Sequence, residues 1–72
     1  MRLTLITSDL DAYEAAQLER RQLAASFGLA LDAGDALDLA LIEAKASDWD
    51  MRHPNEPSLV AELRTYDQLA VA

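Results

Sequence analysis

A chain of 72 residues with a net charge of −7 and no cysteine has room for one domain and no means of making a disulfide or a thiolate metal site. A domain this small buries only about 60% of the surface its unfolded chain exposes, so a second chain, another copy or a target, is the remaining source of stabilisation. Residues 29–52 hold six acidic and two basic groups, a field that repels bare nucleic acid and attracts a basic protein surface.

Met1–Ile6 has too short an apolar run for a secretory signal. No stretch approaches the roughly 20 apolar residues that span a bilayer, and a cytoplasmic protein is expected. Arg2–Ile6 reads as a short strand, with plain extended chain or a continuation of the first helix as alternatives. Ser8 or Asp9 then supplies a helix cap. Leu10–Phe27 reads as a first helix closed by Gly28. Its apolar stripe is Tyr13, Ala16, Leu23, Ala24 and Phe27, and Arg20 falls inside that stripe.

Leu29–Gly34 reads as a connector, and Asp32 or Asp35 as the cap of a second helix over Asp35–Met51. This helix is apolar on two sides. Leu37, Ala40, Leu41, Ala44 and Met51 share one face; Leu39, Ile42, Ala46 and Trp49 share the other. Asp38 and Lys45 line one gutter between them, Glu43 and Asp50 the other. A helix apolar nearly all round is normally buried nearly all round, yet two other helices and a short strand are thin cover. The face carrying Leu39, Ile42 and Trp49 is therefore expected to stay open as an interface, with Trp49 as its anchor. Pro54 ends the helical run. A third helix is expected to start around Asn55 or Ser58, with Pro57 suiting its first turn, and to run to about Val71, with a stripe of Leu59, Leu63, Tyr66 and Ala70.

Residues that carry chemistry are few. His53 is the sole histidine. Ser47, Asp50 and His53 could be written as a triad, but closeness along the chain is not triad geometry. Asp48, Asp50 and His53 could be written as metal ligands, without a recognised spacing. Gly28 and Gly34 are isolated, so there is no glycine-rich phosphate loop. No enzyme activity, cofactor or metal is expected.

Gly34-Asp35-Ala36-Leu37-Asp38 resembles the segment that opens the second helix of acyl carrier proteins. Ala36 stands where the arm-bearing serine would be, and that chemistry requires the hydroxyl. The order strand, helix, helix, with Arg2–Ile6 first and Gly28 between the helices, resembles ribbon-helix-helix regulators. That resemblance implies a dimer paired through its strands and, as an alternative function, DNA binding. Spread along the second helix and its approach, Asp32, Asp35, Asp38, Glu43, Asp48 and Asp50 also suit a mimic of DNA phosphates.

Together these readings give a mainly α, three-helix domain over residues 1–72 with a short N-terminal strand, expected to dimerise. Its expected function is that of a non-enzymatic regulator or inhibitor, in profile like small phage-encoded inhibitors and antitoxins. It would dock on a basic partner protein through Leu39, Ile42 and Trp49, steered by Asp35, Asp38, Asp48 and Asp50.

Overall fold

A computed structural model describes residues 2–71, with side-chain detail for residues 11–69. Three helices follow one another: α1 (Arg2–Ala33), α2 (Ala36–Arg52) and α3 (Leu59–Val71). No strand occurs among the described residues. The strand expected at Arg2–Ile6 falls outside those described with side chains.

The first helix does not stop at Gly28. Phe27, Ala30 and Leu31 continue the buried stripe across that position. Their burial outweighs the roughly 1 kcal/mol that glycine costs inside a helix relative to alanine. The stop is Gly34, whose φ of 68° lies in the left-handed region that glycine enters without strain. The Gly34 N–H donates to the Leu31 carbonyl at 3.1 Å and the Asp35 N–H to the Ala30 carbonyl at 3.1 Å. That pair of bonds is a Schellman closure. Asp35 then caps α2, its carboxylate accepting the Asp38 N–H at 3.0 Å. With one residue closing α1 and the next opening α2, the two helices fold into a tight antiparallel hairpin.

Of the two expected starts of α3, the structure takes the one at Ser58. Pro57 lies ahead of the helix, and Ser58 is the cap. The Ser58 hydroxyl oxygen accepts the Ala61 N–H at 3.1 Å, and the Ser58 carbonyl accepts the Glu62 N–H at 3.3 Å. The two N–H groups left over, those of Leu59 and Val60, donate to the Asp50 carboxylate at 2.6 and 3.2 Å. The same carboxylate accepts the Ser58 hydroxyl at 2.8 Å. The three orphan donors of this first turn, the N–H groups of Leu59, Val60 and Ala61, are thereby satisfied, two of them by a residue of another helix.

Leu23, Phe27 and Ala30 of α1, Ile42, Ala46 and Trp49 of α2, and Leu59 and Leu63 of α3 form the core. Trp49 is fully buried, and its indole N–H donates to the Ala16 carbonyl at 3.0 Å. The Arg20 guanidinium lies 4.9 Å from the indole centroid. It donates to the Pro57 carbonyl at 2.6 Å and to Glu62 at 2.9 Å, tying α1 to the loop and to α3. His53 packs its ring 4.5 Å from that of Trp49.

Two outcomes follow from this packing. Trp49→Ala is expected to cost about 3–5 kcal/mol, the usual range for emptying a large aromatic site, read by chemical denaturation. The two glycines should respond with opposite signs. Gly28→Ala, where an added methyl meets nothing within 4 Å, should raise stability by up to about 1 kcal/mol. Gly34→Ala should lower it, because alanine is strained at positive φ. Thermal melts of the two variants should move in opposite directions from the parent, by about 4–8 °C per kcal/mol for a domain of this size.

Candidate docking surface

The sequence leaves α2 with two apolar faces, and the fold decides which one is covered. Leu39, Ile42, Ala46, Trp49 and His53 fall at alternating steps of three and four, and this stripe turns inward. Ile42 and Trp49 are buried, and Leu39 is half-buried against the core. The expectation that these three form an open interface is therefore corrected. Between them α1 and α3 cover the Trp49 face, because α1 continues to Ala33 and brings Phe27 and Ala30 alongside α2.

The face that stays open is the opposite one. Leu37, Leu41 and Met51 are 74%, 53% and 79% exposed, and Ala40 and Ala44 between them are exposed too. A signal for this choice was present in the sequence. Asp48 falls in line with Leu37, Leu41, Ala44 and Met51 and puts a charge in that stripe. The other stripe holds only apolar residues and an imidazole, and it carries the bulkier side chains.

The acidic residues expected to steer a partner divide into two kinds. Asp50 is engaged in holding α3. Desolvation pushes its carboxyl up, but the hydrogen bonds from the Leu59 N–H, the Ser58 hydroxyl and the Val60 N–H outweigh this and hold it below the usual carboxylate range. Asp35 caps α2, and Asp38 is exposed in that helix's first turn, where a negative charge suits the dipole. Asp48 accepts from the Arg52 Nε at 2.8 Å. Arg52 also reaches Glu19 of α1 at 2.7 Å, and these two carboxylates hold its guanidinium charged beyond its ordinary range. The pairs are exposed and contribute little stability in water. They mark the flank on which α1 and α2 meet solvent together.

The residues considered for a triad or a metal site are not brought together for chemistry. Asp48 pairs with Arg52, Asp50 with the start of α3, and His53 packs on Trp49 with its Nε2 buried and without a hydrogen-bond partner. Glu62 is held below the usual carboxylate range, chiefly by the hydrogen bond from Arg20 and also by that from the Tyr66 hydroxyl. No helix is long and apolar enough to cross a membrane among the described residues.

Set against known protein families, curated proteins and solved structures, the chain matches none of them.

The two lowered carboxyls dictate an acid limit for the fold. A carboxyl held below its ordinary value stabilises the folded state fully above that value, and the contribution is lost as pH falls through the lower, folded one. The ordinary values are 3.8 for Asp50 and 4.5 for Glu62, so stability should be flat near neutrality and fall below about pH 4.5. Asp50→Ala should remove about 1–2 kcal/mol at pH 7, as loss of a helix cap does, and should flatten the acid side of the profile. Circular dichroism melts between pH 3 and 7 read both effects.

Proposed function

We propose that this chain is a non-catalytic, cytoplasmic regulator that works by docking on another protein through the outer face of α2. The observation that carries the reading is the exposure of Leu37, Leu41 and Met51 on a helix whose opposite face already fills the core. Contiguous apolar surface on a small protein marks an interaction site. Each leucine or methionine withdrawn from water contributes about 1.5–3 kcal/mol, enough for this face to supply the apolar centre of an interface. Asp38 and Glu43 border it, Asp48 stands within it paired with Arg52, and the net charge of −7 favours encounter with a basic partner. Asp50 and Glu62 are engaged in capping α3 and holding Arg20, and His53 packs on Trp49. A dimer of this chain would use the same face, but two strongly acidic surfaces repel, and the charge therefore favours a basic partner over a second copy.

Leu41→Asp and Met51→Asp put charge on this face and leave the core untouched. Their helical content and melting temperature should stay close to those of the parent. A protein that co-purifies with the parent chain and re-forms the complex from pure components should be lost with either variant. A partner retained equally by parent and both variants would place the docking surface elsewhere and overturn the reading.

A further inference from the structure

The α1–α2 turn combines two features. The first is charge. From Gln22 to Ala44 there is no lysine or arginine, while Asp32, Asp35, Asp38 and Glu43 are all present. Three of those aspartates crowd the tight Gly34–Asp35 turn, and all three are exposed. The second is apolar surface. Leu29 of α1 is 71% exposed and lies five residues before Gly34, at whose turn the chain passes into the α2 face that carries Leu37 and Leu41. Glu19, Gln22, Ser26 and Leu29 follow one flank of α1 at helical spacing. Leu41, Lys45, Asp48 and Arg52 follow one flank of α2. The Arg52–Glu19 ion pair at 2.7 Å shows that these two flanks border the same side of the hairpin. Leu29 precedes the turn by about as many residues as Leu41 follows it, so in an antiparallel pair they stand at one level, with Leu37 nearer the turn.

We propose that this hairpin end seats a basic amphipathic helix of the partner protein. Leu29, Leu37 and Leu41 take its apolar stripe, and Asp32, Asp35 and Asp38 face the lysines and arginines that flank that stripe. The proposal rests on the docking reading above and names its occupant. An amphipathic helix laid on an apolar surface presents its own apolar side chains about one turn apart, and Leu29, Leu37 and Leu41 are the exposed apolar side chains this end offers to receive them. Charge selects against a second copy, because two such ends placed together would oppose aspartates to aspartates with no cation from this segment. It selects against an acidic helix for the same reason.

The test uses the full chain and two synthetic helical peptides of one leucine pattern, one with lysine at every polar position and one with glutamate. Binding is followed by fluorescence anisotropy at low and moderate salt. The lysine peptide should bind, more weakly as salt rises, and the glutamate peptide should not. Leu29→Glu and Leu37→Glu make the decisive pair. Each adds negative charge, so attraction by charge alone predicts tighter binding of the lysine peptide. Seating of an apolar stripe predicts weaker binding, by about tenfold or more for a central contact. Asp32→Asn combined with Asp38→Asn should weaken binding and reduce its salt dependence while the fold is unchanged. Gln68→Glu, which adds the same charge at an exposed position of α3 away from this surface, should have little effect.

Tighter or unchanged binding by the two glutamate variants overturns the proposal, and so does equal binding of both peptides. Self-association of the parent in sedimentation, abolished by Leu37→Glu, also overturns it in favour of a second copy and leaves the docking face itself intact. Failure of the docking reading has a different mark, a native partner indifferent to Leu41→Asp.

Discussion

The buried indole of Trp49 is the contact on which the rest of the arrangement depends. It belongs to α2, donates its N–H to a carbonyl of α1, and lies under a guanidinium from α1 that reaches on to Pro57 and Glu62. One side chain thus fixes the height of α2 against α1, and its charged neighbour fixes where α3 begins. Arginine suits this place because its planar fork makes several directed hydrogen bonds while its face lies on an aromatic ring. A lysine there could not do both. A guanidinium this well partnered is compatible with a largely buried position, and Arg20 joins the three helices where the apolar core reaches its polar edge.

That choice of inner face has a direct consequence for function. Once the stripe of Ile42, Ala46 and Trp49 fills the interior, the other stripe of α2 has nothing of its own chain to pack on. The acidic residues divide along the same line. Asp50 and Glu62 serve the fold, one by capping α3 and the other by holding Arg20. Asp32, Asp35 and Asp38 stay at the surface around the hairpin turn. The stability of the domain and its surface field therefore rest largely on different carboxylates: Asp35, which also caps α2, serves both, while Asp32 and Asp38 can be altered with little effect on the fold.

Much of this architecture was legible in the amino-acid order, and the failures have local causes. Three helices, the break at Pro54 and the stripe of Leu59 and Leu63 follow from spacing and from proline geometry. So does the anomaly of Arg20, which stands among apolar residues because it is buried with partners that no local pattern reveals. Gly28 and Gly34 looked alike as helix stops. What separates them is that burial of Phe27, Ala30 and Leu31 carries the helix past the first, while the second ends the apolar stripe and is followed by a residue able to cap. Pro57 looked like a first-turn residue, but Asp50, from another helix, satisfies the start of α3 one step later. The aromatic at Trp49 suggested an interface anchor, and the same size and N–H suit a core position when a backbone carbonyl lies opposite.

By itself the sequence determined that the chain is helical, acidic and apolar on two sides of its central helix, because periodicity and charge are local properties. Which of those two sides faces inward was decided only when three helices met. The preference depends on the summed volume of Leu39, Ile42 and Trp49, on a charge at Asp48 that resists burial, and on partners for the indole and guanidinium supplied from far along the chain. Helix spacing records the angle of a residue around its own axis, and tertiary packing alone sets what lies across from it.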